Sequence, residues 1–173
     1  MASFYRTYRT TPDGERIDGV FAMAFIHNGP YHLTDISIYR DGMVDCWGLV
    51  TFEEFKEKVR SGWVVTQPPP NAEIHVAFLA SFTATNASYW IEPEELIREV
   101  ADEVEGLNGR PTARDRCFEA WQAYEAQPSE ATIAALRVAY EAVPEHNRRF
   151  VLGDMDRKDH PIRHVLYPER YRD

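Results

Sequence analysis

Between residues 16 and 91 the apolar positions recur mostly with period two, and β-branched and aromatic side chains lie between turn signals. This is the pattern of antiparallel strands. A first strand is predicted over residues 19–27. Asn28-Gly29-Pro30 turns the chain into a second over 31–39, and Asp41-Gly42 turns it again into a third over 43–49. Thr51 with Glu54 then writes a capping box, Val50 and Phe55 are spaced as a hydrophobic staple, and Gly62 can close the short helix between them. Trp63-Val64-Val65 reads as a strand that stops before Pro68-Pro69-Pro70. The clearest alternation runs over 73–83, where Ile74, Val76, Phe78, Ala80 and Phe82 share one face and His75 falls on the other.

After Ile91 the period changes to 3.6. Pro93 opens a helix with Leu96, Val100, Val104 and Leu107 along one stripe, and Asn108-Gly109 ends it. Two further helices follow, one carrying Cys117, Phe118, Trp121 and Tyr124 and the next Ile133, Leu136, Tyr140 and Val143. The short Gln127-Pro128-Ser129 connection makes them an antiparallel hairpin. A last short helix over about 145–152 stops at Gly153, and 154–173 reads as an irregular charged tail. The expected fold is α+β in a single domain over residues 1–173. An antiparallel sheet of five or six strands with one inserted helix (16–91) is followed by about three helices packed on one face (92–153).

Charge sharpens this picture. The net charge is −9, and residues 92–145 hold 13 acidic against 5 basic side chains, a balance of −8. An acidic helical surface argues against general nucleic-acid binding, which needs Lys and Arg to displace counterions, and it suits a basic protein partner. The first apolar run, 20–26, is too short to span a bilayer, so no membrane association is expected. Cys46 and Cys117 lie in apolar surroundings and read as reduced core residues of a cytoplasmic protein.

Two groups of residues offer chemistry. At "YRDGMVDCWG" a two-residue turn would set Ile38 opposite Asp45, whereas a three-residue turn with a glycine bulge sets Ile38 opposite Val44. Burying a lone carboxylate costs several kcal/mol, so the second register is expected. Asp45 then shares a face with Asp35, Ser37, Tyr39, Met43 and Trp47, either as a paired-acid site or as the ordinary outer face of a sheet. The second group is Asp154, Asp156, Asp159 and His160, with His164 nearby. These are metal ligands or acid/base groups on one reading, and on the other a charge cluster paired with Arg157, Lys158 and Arg163. As an EF-hand the spacing fails.

Arg148, Arg149, Arg157, Lys158, Arg163, Arg170 and Arg172 make the last quarter locally basic, able to hold a phosphate or to clamp the acidic helices. No GxGxxG, GxxxxGK[ST], HExxH, CxxC or GxSxG occurs, so no cofactor is expected. Two functions are compatible with these residues. The first is a non-enzymatic, immunity-like or regulatory module that binds a basic partner through the acidic helices. The second is an enzyme acting on a small or phosphorylated substrate through the Asp/His cluster.

Overall fold

The structure is a computed structural model that describes residues 6–153 and 156–171. These fall into two compact units that divide between Arg110 and Pro111. The chain is α+β, an eight-stranded sheet with an inserted helix followed by further helices.

In the first unit, strands β1 (Arg6–Thr10), β2 (Arg16–His27) and β3 (Tyr31–Tyr39) form consecutive antiparallel hairpins. Short strands β4 (Val44–Asp45) and β5 (Leu49–Val50) continue past β3, and helix α1 (Phe52–Arg60) leads to β6 (Val64–Val65), which pairs with β2. Strands β7 (Ala72–Val76) and β8 (Ala80–Ala84) form a hairpin, and helix α2 (Pro93–Leu107) closes the unit. The β2·β3 ladder puts Val20, Ala24, Ile26, Ile36 and Ile38 on one face. They are buried there with Val44, Cys46, Phe55 and Val59 of α1, and Leu96, Ile97 and Val100 of α2.

The helix ends follow their written signals. Thr51 and Glu54 complete the capping box. Beyond the C-cap Ser61, Gly62 at φ 77° lets its own N–H reach Val59 O and the Trp63 N–H reach Lys58 O, a Schellman motif. Pro93 occupies the first turn of α2, and at its other end Asn108 donates to Arg40 O at 2.6 Å, tying the helix to the β3–β4 turn.

The hairpin at Asp41-Gly42 takes the three-residue register: Ile38 pairs with Val44 and Ser37 with Asp45. Gly42 at φ 82° donates to Tyr39 O, and Tyr39 donates to Met43 O. Other expectations need correction. The third strand does not run over 43–49 but ends at Asp45, whose carboxylate accepts from the Gly48 N–H at 2.9 Å and closes a tight turn. The alternation over 73–83 is a hairpin rather than one strand, because the chain reverses at Ala77-Phe78-Leu79 with Phe78 at φ 56°. No glycine or asparagine marks that turn. Because Ile74 pairs with Phe82 and Val76 with Ala80, the same-face set survives the fold-back. The sheet also holds one parallel junction, β3 with β7, and β1 adds a polar edge strand before the periodic region.

The second unit contains α3 (Ala113–Ala126) and α4 (Glu130–Ala142) as an antiparallel pair capped by Thr112 and Ser129. Short α5 (Glu145–Arg148), α6 (His160–Leu166) and a 3₁₀ turn (Pro168–Tyr171) follow. Over its described residues 156–171 the tail is therefore not irregular. Pro161 lies in the first turn of α6, where its missing N–H costs nothing, and Ile162 and Leu166, four residues apart, bury against Cys117, Leu136 and Tyr140. Among the described residues no helix is long and apolar enough to cross a membrane.

Two consequences are measurable. A Cβ at Gly19 would lie 2.5 Å from Ile38 O and 2.7 Å from Tyr39 Cδ1, so the ladder itself must shift. Gly19→Ala should cost about 1–3 kcal/mol in urea unfolding. Burial, reinforced by Glu99 and Asp102, pushes the Glu103 carboxyl up to about 7 from an ordinary 4.5. The folded state then holds a proton that the unfolded chain has lost between those values, so stability should fall as pH rises through that window and level off above it. Glu103→Gln should flatten this slope in urea midpoints taken at low and neutral pH.

Candidate anion-binding site

The segment expected to carry metal ligands forms part of the wall of a cavity of about 660 Å³ in the second unit. Tyr140 and Glu141 come from the end of α4, Glu145 and Arg148 from α5, and His160 and Arg163 from α6, with Tyr167 and Arg170 below. Lys158 and Asp159 precede α6, and Arg149 follows α5. Five basic side chains thus meet three acidic ones in a chain whose net charge is −9.

The acids are occupied. Buried Asp159 accepts the Tyr140 hydroxyl proton. Glu141 accepts from the Tyr167 hydroxyl at 3.1 Å and lies 4.0 Å from Arg137, which is not in the lining. The basic groups are positioned differently. Arg148 donates from Nε to Val143 O and from a terminal nitrogen to Glu141 O, both at 3.0 Å, while its guanidinium lies over the Tyr140 ring at 5.3 Å. Arg170 sits over the Tyr167 ring at 4.9 Å and Arg163 over Tyr171 at 5.7 Å. Carbonyls and ring faces fix a guanidinium without cancelling its charge. Among the described residues none of Arg148, Arg149, Lys158, Arg163 or Arg170 is in an ion pair with a carboxylate.

Tyr140 joins site to core. Its ring packs in the second unit's cluster, and burial together with Asp159 holds its hydroxyl well above the usual phenol range, so it stays a neutral donor. Cys117, in the same cluster, is pushed up to about 11 by burial and is no nucleophile at neutral pH.

The residues singled out from sequence are dispersed. Asp159 points inward to Tyr140, His160 is exposed at the cavity, and Asp156 is exposed outside its lining. Asp154 lies outside the described residues. Among the described residues no three His, Cys, Asp or Glu side chains converge as a metal site. His164 stacks on Tyr171 with ring centroids 4.0 Å apart.

On the sheet, Asp35 is exposed opposite Met23 on β2, and the β3·β4 ladder ends at Asp45 before reaching it. Tyr39 is buried under Arg9, and Arg9 pairs with Asp41. Trp47 leaves the face shared by Asp35 and Tyr39: at φ 64° its ring turns to His32, 4.8 Å between centroids, and His32 in turn meets His75 at 5.2 Å. His75 is held by Glu73 at 2.9 Å. Sequence reasoning missed this aromatic group because the parallel β3·β7 pairing that builds it has no local signal.

A family model for a domain of unknown function, DUF7638, matches residues 6–111. The chain belongs to the DUF7638 family. A second model, the domain of unknown function DUF7639, matches residues 112–172. The DUF7638 match ends where the contacts divide the chain, so the cavity falls within the DUF7639 match and the sheet within DUF7638. No curated protein and no solved structure matches the chain.

Tyr140→Phe leaves the buried Asp159 carboxylate without this donor. Urea unfolding should show a loss of about 1–3 kcal/mol.

Proposed function

We propose that this protein is a binding module whose second unit holds a small phosphorylated molecule. The observation that carries the reading is the convergence of five basic side chains, without carboxylate partners among the described residues, on one cavity. Its volume of about 660 Å³ lies within the roughly 300–1,000 Å³ usual for small-molecule sites. Guanidinium groups offer paired N–H donors that match phosphate oxygens, and the pre-set Arg148 loses little freedom on binding. The Tyr140 and Tyr167 hydroxyls are spent on Asp159 and Glu141, which leaves the cations to do the recognition. The chemistry on offer is charge neutralisation and orientation.

A basic protein partner for the acidic helices finds less support. On α2, Glu94 pairs with Arg60, Glu95 with Arg98 and Glu105 with Arg110. The exposed Glu119, Glu125 and Glu130 of α3 and α4 are what such a partner would meet. The two cysteines, both free and buried, fit a reducing compartment such as the cytoplasm.

Isothermal titration with inorganic phosphate, pyrophosphate and nucleoside phosphates tests the reading. Binding should weaken with added salt, and Arg163→Gln with Arg170→Gln should lower affinity by about tenfold or more, since hydrogen bonds to charged groups contribute roughly 1.5–3 kcal/mol each. Absence of binding to every phosphate compound, or affinity indifferent to the two substitutions, overturns it.

A further inference from the structure

The geometry points to a homodimer formed by antiparallel pairing of β8 with β8 of a second copy of this chain. Strand β8 pairs with β7 along one side, and among the described residues its other side has no strand beside it. Ala80, Ser81, Phe82 and Thr83 are all exposed. An open edge presents a row of unpaired N–H and C=O groups, and edges that are to stay single are blunted by lysine, proline or a bulge. Strand β8 carries neither lysine nor proline. From Val76 to Ile91 the chain has no Asp, Glu, Lys or Arg, no proline and no glycine.

Three features select a second copy as the occupant. First, the strand reads Ala-Ser-Phe-Thr-Ala and is nearly symmetric about Phe82. A two-fold axis through Phe82 sets Ala80 against Ala84 of the mate, Ser81 against Thr83, and Phe82 against itself. These are small, hydroxyl and aromatic pairs, each matched in kind, as an isologous contact requires. Second, two chains of net charge −9 repel, and the uncharged run keeps charged side chains off the seam strand itself; the carboxylate beside it, Glu73 on β7, accepts from the Ser81 hydroxyl at 3.3 Å and contacts His75 at 2.9 Å. Third, the hairpin carries more apolar surface than a free strand needs. Phe82 is 51% exposed, Leu79 81%, and Phe78 is fully exposed at the turn, held at positive φ. In this register Leu79 and Phe78 reach the mate's residues 85 and 86, extending the contact beyond the strand.

Analytical ultracentrifugation of the full chain from low micromolar to sub-millimolar concentration tests the pairing. The expected result is a reversible monomer–dimer equilibrium. Phe82→Lys places two ammonium groups opposite each other and should weaken the dimer by about tenfold or more. Val138→Lys, an exposed apolar position on α4, should leave it unchanged. Hydrogen exchange of the unsubstituted chain is the second reading: amides of residues 80–84 should slow as concentration rises. A chain that stays monomeric throughout overturns the proposal, and leaves the strand to an extended segment of some other protein. It is equally overturned by a dimer that Phe82→Lys does not weaken, by one that Val138→Lys weakens as much, or by exchange at 80–84 that is independent of concentration.

Discussion

The nine-pair antiparallel ladder between Gly19–His27 and Tyr31–Tyr39 is what the rest of the first unit hangs from. Its inner face supplies Val20, Ala24, Ile26, Ile36 and Ile38 to the core, and α1 and α2 bury their stripes against that face. The register is set at one end by Asn28-Gly29-Pro30 and continued at the other by the Arg40-Asp41-Gly42 turn. A slip by one residue would carry Asp45 into the aliphatic layer in place of Val44, and burying that unpaired carboxylate would outweigh any preference among turn types. Gly19 adds a steric pin, since only a missing side chain leaves room for Tyr39 beside it.

Elements whose cause is local were legible in the sequence. Both hairpins of β2, β3 and β4, the capping box of Thr51 and Glu54, and the Pro93 start of α2 each depend on a few neighbouring residues with fixed chemistry. The failures share a different cause. The reversal at Ala77-Phe78-Leu79 uses a residue at positive φ that carries a bulky side chain, so nothing in the composition marks it. Helix α6 hides behind charged residues, and only Ile162 and Leu166 show its period. The parallel β3·β7 contact is set by tertiary packing alone.

For the candidate site, the sequence singled out a segment that lines the cavity, but not how the fold distributes its side chains. Basic residues spread from Arg148 to Arg170 were visible as a run, but their convergence depends on α5 and α6 meeting the end of α4, and no spacing rule encodes that. Asp159 looked like a ligand because it is grouped in sequence with Asp154, Asp156 and His160. In the fold it is buried, and its partner is the hydroxyl of Tyr140, nineteen residues earlier in the chain. A carboxylate that holds a core tyrosine in place cannot also serve freely as a ligand, whereas arginines fixed by carbonyls and ring faces keep their charge for the cavity.

The parallel contact of β7 with β3 also orders events during folding. Tyr31 and Ile74 are far apart in sequence, so closing that loop is entropically slower than forming either flanking hairpin. The β7–β8 hairpin can therefore form while still undocked. For that interval a strand-prone segment without charge, proline or glycine is displayed to other nascent chains. Yield at high expression levels then depends on how quickly β7 finds β3 relative to how often two such hairpins collide, a kinetic partition that the stability of the finished sheet does not reveal.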